Sequence, residues 1–202
     1  KAFVEFKNAN PFDHCIIDNF FVNDIGAKLE KEFPDYEDEI WQGYDNPLEV
    51  KKLTNVWNHF KPLTYKVLCE MNSIEFCDLI SEQSGIDPLY SDDGLNGGGW
   101  HIHKSGGKLN PHLDYSIHPK LGLQRKLNLI IYLNSNWKNT WGGFLGLWGN
   151  ETSQKPGKLI KSIEPKFNRA IIFDTTQNSW HGLPEPITCP KNQYRKSIAI
   201  YY

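Results

Sequence analysis

The first part of the chain carries apolar residues at helical spacing. In the segment 22–33 they recur every four positions, at Ile25, Leu29 and Phe33, which is the repeat of one helix face. Pro34 follows directly, and a proline cannot continue a helix. The pattern therefore predicts an amphipathic helix that ends before residue 34.

Two further segments carry the end signals of helices. The segment 61–71 has Pro62 in its first turn, where proline is tolerated. The segment 74–84 lies between Ser73, which suits an N-cap, and Gly85, which suits the position after a last turn. We therefore predict three helices before residue 95.

After residue 95 the pattern changes to short β-rich runs. These runs are 127–133, 144–148, 158–163, 169–174 and 196–202. Turn-forming residues separate them, and an earlier β-rich run covers 15–21. Several short strands at this spacing are typical of a β-sandwich or β-barrel. We predict one all-β core supported by N-terminal helices.

Length and charge limit the organisation of the chain and its partners. Its 202 residues suffice for one domain with a sizeable core and are too few for two. Because 24 acidic side chains balance 22 basic ones, no basic surface for nucleic acid is predicted. No apolar run approaches the roughly 18 residues of a membrane-spanning helix or resembles a signal peptide. We expect a cytoplasmic monomer with neither nucleic acid nor a membrane as partner.

The cysteines agree with that compartment. The chain has four, at positions 15, 69, 77 and 189, and no two of them form a C-x-x-C pair. We expect buried free thiols in a reducing environment.

A candidate metal site begins with the sequence His-Leu-Asp. On a strand, side chains two residues apart point to the same side, so His112 and Asp114 can bind one ion together. A surface strand with solvated polar residues is the alternative interpretation. His181 is the predicted third ligand, whereas His118 is predicted to be a loop residue. Two histidines and one carboxylate that leave three positions open are typical of non-haem Fe(II) oxygenases.

A candidate carboxylate site lies near the end of the chain. Arg195 opens the last β-rich run, and Ser197 lies on the same side of it. A guanidinium and a hydroxyl together can bind a carboxylate through several hydrogen bonds. The three ligands and this clamp fit 2-oxoglutarate, with its keto acid on the metal and its distal carboxylate on Arg195.

Six segments in this order resemble 2-oxoglutarate- and Fe(II)-dependent oxygenases of the prolyl 4-hydroxylase type, and in pattern the prolyl hydroxylases that act on hypoxia-inducible factor. They are HLD (112–114), RKLNLIIYLN (125–134), WGGFLGLW (141–148), IEPKFNRAIIF (163–173), WHGLPEP (180–186) and RKSIAIYY (195–202). The segment PFDHCIIDNFF (11–21) matches the family's N-terminal strand more loosely.

The resemblance implies a fold and a domain layout. The fold is mainly β with N-terminal helices, and its core is a double-stranded β-helix, that is, a cupin-like jelly roll. A single domain would cover 1–202, with a helix-rich support at 1–94. The jelly-roll core would cover 95–202 and include the N-terminal strand at 14–21.

The resemblance also implies roles for individual residues. His112, Asp114 and His181 match the Fe(II) ligands. Arg195 matches the arginine that binds the distal carboxylate of 2-oxoglutarate, and Tyr132 matches a tyrosine whose hydroxyl bonds the same carboxylate.

Three more residues are candidates for cosubstrate binding. Before the first ligand the family has a tyrosine near the metal-bound end of 2-oxoglutarate, and this chain has the sequence GGGWHIHKSGG. His101 or His103 must take that place. Asn128 lies four residues before Tyr132, on the same side of one strand, and is predicted to face the pocket.

The implied activity is hydroxylation of a C–H bond with O2 and 2-oxoglutarate, with ascorbate as a candidate reductant. A prolyl residue in a peptide or protein is the favoured substrate. Alternatives are a free amino acid or small metabolite, a nucleobase, or a cupin-like binding module without catalysis. The polar segment 41–52 is predicted to be a loop, either a mobile lid over the substrate or an ordered surface loop.

Overall fold

The computed structural model describes residues 2–202, and in them three helices precede most of the strands. The helices are α1 (Ile25–Glu32), α2 (Pro62–Met71) and α3 (Ile74–Ser84). The strands of the first half are β1 (His14–Ile17), β2 (Gln42–Asp45) and β3 (Glu49–Thr54). Those of the second half are β4 (Gly99–His103), β5 (Lys108–Leu109), β6 (Leu127–Tyr132), β7 (Leu145–Thr152), β8 (Lys155–Ile163), β9 (Ala170–Asp174), β10 (His181–Gly182) and β11 (Arg195–Tyr201).

Local end signals define the helices well. The Ser73 hydroxyl accepts a hydrogen bond from the Phe76 N–H, and Gly85 has the left-handed conformation with φ 66°. The predicted bounds of α2 and α3 agree with the structure. The last residue of α1 contacts the start of α2, which the sequence pattern did not indicate. Its Glu32 carboxylate accepts both backbone N–H groups at Leu63 and Thr64, and so caps the N-terminus of α2.

The strands form two antiparallel sheets. The larger has the order β1-β9-β6-β11-β4-β3-β2, with β5 also paired to β3. The smaller has the order β10-β7-β8. This mainly β architecture with a curled antiparallel sheet confirms the predicted jelly-roll class.

The helices cover one face of the larger sheet. Leu29, Leu68 and Ile80 of the three helices pack in one cluster with Leu129 of β6 and Ile198 of β11. The opposite face packs in part on the smaller sheet, through a second cluster. Side chains alternate along each strand, so residues next to the buried Leu129 and Ile198 face the space between the sheets. That space contains the candidate site.

Two predictions about strands were wrong. The run 15–21 is a strand only as far as Ile17, because Asn19 has φ 55° and turns the chain. The segment 41–52 is not a loop. It forms most of the hairpin of β2 and β3, and β3 pairs with β4 in the larger sheet.

Candidate metal centre

The two histidines of the predicted triad are joined through their backbones. The His112 N–H donates to the His181 carbonyl at 2.9 Å, and the His181 N–H donates back at 3.1 Å. His112 lies in the loop between β5 and β6 rather than on a strand, so the predicted strand geometry was wrong there. Gly182 permits this pairing, because a Cβ at that position would lie 2.6 Å from the Leu109 carbonyl oxygen.

Both imidazoles have one nitrogen fixed by a backbone carbonyl. His112 Nδ1 lies 2.9 Å from the Asn110 oxygen, and His181 Nδ1 lies 2.8 Å from the Ser179 oxygen. A carbonyl only accepts hydrogen bonds, so Nδ1 carries the proton in each ring and Nε2 keeps its lone pair. This is the tautomer in which metal-binding histidines present Nε2.

Asp114 completes the cluster. Its two carboxylate oxygens lie 3.8 Å from His112 Nε2 and 3.7 Å from His181 Nε2. One ligand atom from each of the three residues lies within 4.8 Å of the others. The Asn128 amide nitrogen donates to Asp114 Oδ2 at 3.0 Å, so Asn128 orients a ligand of the cluster.

The protonation states suit a cation. Burial, together with the nearby His181, lowers the pKa of His112 to about 4. Burial by itself would raise the pKa of Asp114, but the two imidazoles and the Asn128 amide bring it below its usual value. At neutral pH the cluster offers a neutral His112 and a carboxylate, as divalent metals require.

A buried arginine lies in the same cleft. Arg195 is 4% exposed, and its Nε donates to the Gly143 carbonyl at 2.7 Å. Within residues 2–202 no carboxylate forms an ion pair with it. Its guanidinium carbon lies 4.8 Å from the centre of the Tyr132 ring, and the Tyr132 hydroxyl is buried without a hydrogen-bond partner. A buried cation next to an unpaired hydroxyl suits a bound carboxylate.

The remaining candidates for cosubstrate binding line the cleft between these groups. In the sheet, Arg195 pairs with His103, and Ser197 pairs with both His101 and Tyr132. His101 Nε2 lies 3.0 Å from the Gly97 carbonyl oxygen, and burial lowers the pKa of His101 to about 3.

His103 differs from His101 in its contacts. Both of its ring nitrogens are buried without a partner, and burial lowers its pKa well below the usual value. Of the two histidines, His103 therefore has the free hydrogen-bonding capacity next to Arg195 that a bound anion can use.

The cleft also contains residues that sequence reasoning missed. It encloses about 1290 Å³ up to its open mouth, and Tyr44, Glu49 and Lys51 of the β2–β3 hairpin line one side of it. Lys51 Nζ lies 2.9 Å from the Glu49 carboxylate. Arg125 lines the other side. The polar composition of 41–52 was the only signal of this role.

Three other histidines lie outside the metal cluster. His118 is a loop residue as predicted, and its Nε2 lies 3.2 Å from Asp92 Oδ2. His14 contacts Lys161 and His59 contacts Thr54, so both have structural partners. Among the described residues only His112, Asp114 and His181 form a metal-binding group of three or more.

The residues fit the groups that the sequence implied. Two imidazoles, each with Nδ1 on a backbone carbonyl, and one carboxylate form a donor set for a divalent ion such as Fe(II). Arg195 lines the same cleft, and its cation matches a bound dicarboxylate. Tyr132 is not among the residues that line the cleft, but its ring centre lies 4.8 Å from the Arg195 guanidinium carbon. Across residues 2–202 none of the helices has both the length and the apolar composition needed to cross a bilayer.

Comparisons with known proteins agree with this geometry. The family model described as "2OG-Fe(II) oxygenase superfamily" matches residues 98–202. Prolyl 3-hydroxylase OGFOD1 of Mus musculus is 23% identical over 191 residues, which are 89% of this chain and 31% of that protein. Its counterpart in Xenopus laevis is 31% identical over 64 residues, 32% of this chain and 12% of that protein. The chain thus spans a third or less of these relatives.

Two solved structures share the fold. A prolyl hydroxylase from Trichoplax adhaerens, in complex with a hypoxia-inducible factor peptide, has a TM-score of 0.66 at 17% identity. That match covers 98% of this chain and 86% of the other. A Pseudomonas putida prolyl-4-hydroxylase has a TM-score of 0.67 at 14% identity, and the match covers 100% and 98% of the two chains.

Proposed function

Because the chain belongs to the 2OG-Fe(II) oxygenase superfamily, we propose that it hydroxylates a prolyl residue within a polypeptide. Membership makes it a dioxygenase that depends on Fe(II), 2-oxoglutarate and O2. The identity of the substrate and the roles of the individual residues are parts of the proposal.

One observation carries the assignment of residues. Arg195 is buried without a carboxylate partner in the cleft that the histidine–aspartate cluster lines. A cation that loses its hydration in a protein interior needs an anion to compensate it. A 2-oxoglutarate molecule with its distal carboxylate on Arg195 supplies that anion, and its keto acid then reaches toward the cluster.

The protein residues divide the work in this scheme. His112, Asp114 and His181 hold the metal, and Asn128 keeps Asp114 in position. When bound, Fe(II) with 2-oxoglutarate supplies the oxidation of a C–H bond by O2, while 2-oxoglutarate becomes succinate and CO2. Arg195 orients the cosubstrate, and Tyr132 and Ser197 can each donate one hydroxyl hydrogen bond to it. Burial of the cleft floor keeps bulk water away from these groups.

The prolyl substrate rests on the relatives. The OGFOD1 proteins are named prolyl 3-hydroxylases, and the two solved structures are a prolyl hydroxylase with a bound peptide and a prolyl-4-hydroxylase. These names point to a proline in a peptide or protein as the substrate. They differ in the ring carbon that is hydroxylated, which is C3 in some and C4 in another. The cleft is open to solvent, as access by a polypeptide requires.

Two measurements test the proposal. Incubation with Fe(II), 2-oxoglutarate and O2 in the absence of a second substrate should release succinate slowly, and the Asp114→Ala variant should release none. Proline-containing peptides should then accelerate succinate release and gain one oxygen, which mass spectrometry and NMR of the product ring assign to C3 or C4. Acceleration by free amino acids or nucleobases but by no peptide contradicts a polypeptide substrate.

A further inference from the structure

A second cavity, here called the side pocket, opens beside the catalytic cleft. It is a small cavity that is open to solvent, between the segment 88–92, the loop 118–126 and the last two residues of the chain. Arg125 and Tyr201 line both the side pocket and the catalytic cleft. The two cavities therefore share a wall.

The shared wall is built of stacked side chains. The guanidinium carbon of Arg125 lies 3.7 Å from the centre of the Tyr201 ring and 5.4 Å from that of Tyr115. Arg125 also donates to the Asn96 carbonyl at 2.7 Å. A stacked and hydrogen-bonded arginine that is 5% exposed forms a fixed partition between the two cavities.

The floor of the side pocket is held in shape by His118. Its Nδ1 accepts the N–H groups of Lys120 and Leu121 at 3.1 and 3.0 Å, so the ring proton lies on Nε2. Nε2 lies 3.2 Å from Asp92 Oδ2, and the Asp92 carboxylate accepts the N–H groups of Gly94 and Asn96. Asp92, the one acid among the described residues that line the pocket, thus has hydrogen-bond donors within the protein.

The rim carries apolar side chains that the fold does not bury. Tyr90, Leu121 and Leu123 line the side pocket and are exposed, and Tyr115 and Ile117 lie exposed on the same loop. A monomer rarely leaves such a cluster in water unless another molecule covers it.

We propose that the side pocket binds an apolar side chain of the polypeptide substrate, a few residues from the prolyl residue in the cleft. The proposal rests on the function proposed above. The wall shared through Arg125 and Tyr201 places the pocket next to the cleft, within reach of a chain that leaves it. Leucine, proline and tyrosine side chains make up much of the lining, beside Gln124, Arg125 and Lys126, and these apolar walls suit a residue such as leucine or phenylalanine.

Matched substitutions test the proposal. Leu121→Ser and Leu123→Ser alter the rim, where these leucines are 53% and 43% exposed. Leu79→Ser in α3 and Leu159→Ser in β8 are the controls, since these leucines are 52% and 43% exposed and do not line the pocket. Thermal unfolding of all four variants establishes that they are folded.

The probes are nine-residue peptides with a central proline, in which one flanking position at a time is Leu, Phe, Ser or Lys. Retention on the immobilised protein with Mn(II) and 2-oxoglutarate measures binding, and gain of one oxygen with Fe(II) measures reaction. At one flanking position, wild type and controls should retain the Leu and Phe peptides roughly tenfold better than the Ser peptide. Both rim variants should lose most of this preference.

Each other result rejects one or both proposals. One such result is that peptides gain oxygen without any preference for an apolar residue at one flanking position, and another is that all four variants lose that preference equally. Either result rejects the role proposed for the side pocket and leaves the proposed prolyl hydroxylation standing. If the protein binds the apolar peptides preferentially but no peptide gains oxygen, prolyl hydroxylation is contradicted, whereas the proposed binding role of the side pocket stands. Retention of no peptide rejects both. If analytical ultracentrifugation shows that the wild type is a dimer and that Leu121→Ser is a monomer, the rim forms the interface with a second copy of the chain, and the proposal is wrong.

Discussion

Asn128 holds one oxygen of Asp114, because its amide nitrogen donates to Oδ2 over 3.0 Å. The other oxygen, Oδ1, lies 3.8 Å from His112 Nε2. Partners of this kind set the direction in which a ligand oxygen faces, and their loss typically costs 10- to 100-fold in metal affinity.

We therefore expect Asn128→Ala to weaken Mn(II) binding roughly 10- to 100-fold, as measured by calorimetry. The control is Asn134→Ala, which removes another buried amide whose nitrogen donates to the Tyr194 carbonyl. Equal losses in both variants would assign the effect to general destabilisation.

The three ligands should differ in their cost to the fold. His181 is buried and its ring centre lies 4.7 Å from that of Phe173, whereas a third of the His112 side chain is exposed. All three single alanine variants should lose stoichiometric Mn(II) binding. His181→Ala should also lower the unfolding temperature more than His112→Ala, because it leaves a cavity. Electron paramagnetic resonance and thermal unfolding check the two statements, and retained binding in any variant removes that residue from the ligand set.

Arg195 should control the affinity for 2-oxoglutarate. Arg195→Ala removes the buried charge proposed to face the distal carboxylate, at a cost of roughly 3–5 kcal/mol, or a hundredfold or more in affinity. Arg195→Lys keeps the charge and loses the fork, so it should raise the KM for 2-oxoglutarate more than it lowers kcat. Titration of 2-oxoglutarate into the Mn(II) form measures the affinity, while Mn(II) binding itself should be unchanged. An unaltered affinity in Arg195→Ala would move the carboxylate site elsewhere.

Tyr132 should contribute less than Arg195. Its buried hydroxyl has no partner in the protein, so a bound carboxylate is expected to accept its hydrogen bond. Tyr132→Phe removes that one hydrogen bond and should weaken the binding of 2-oxoglutarate by roughly 1–1.5 kcal/mol. In the same titration, a loss as large as that of Arg195→Ala would indicate that the ring, rather than the hydroxyl, supports the site.

Stability of the metal-free protein should fall in acid through the cleft histidines. The pKa of His101 is lowered from 6.5 to about 3 by burial, and that of His103 is lowered as well. Between pH 6.5 and 3 the unfolded chain therefore binds protons that the folded chain excludes. The contribution of these histidines to the free energy of unfolding is fully present above pH 6.5. Below that pH it declines by up to roughly 1.4 kcal/mol per pH unit for each histidine.

Urea unfolding at pH 7.5, 6 and 5 measures this decline. In His101→Asn the free energy of unfolding should fall less steeply with decreasing pH, by a difference in slope that corresponds to at most one bound proton. An identical pH slope in the variant and in wild type would show that His101 is protonated in the folded state.

Local signals were enough for the helices and the central strands. The bounds of α3 follow from Ser73 and Gly85, and those of α2 follow from Pro62, since each signal acts within one turn. The apolar runs that became β6, β9 and β11 were found because their sides toward the helices are continuous hydrophobic surface. The sequence could not indicate β2 and β3 in this way, because one face of that hairpin lines a polar cleft.

The site was predictable as a set of residues but not as an arrangement. His112 and Asp114 were placed on a strand, whereas they lie in a loop that backbone pairing with His181 holds in place. Pairing of this kind depends on tertiary structure and leaves no mark on a local pattern. The contact of Asn128 with Asp114 has the same origin, since it joins a strand to a loop.

The backbone pairing of His112 with His181 also sets the order in which the protein matures. Positions 112 and 181 are brought together only after β6, β7, β8 and β9 between them have been synthesised and packed. A nascent chain that ends before residue 181 lacks a ligand and has no complete metal site. Contacts between residues so far apart in sequence form late, because long loops must close first. With these residues as the proposed ligands, we expect metal loading to follow the synthesis of residue 181 and the bound ion to stabilise the native state.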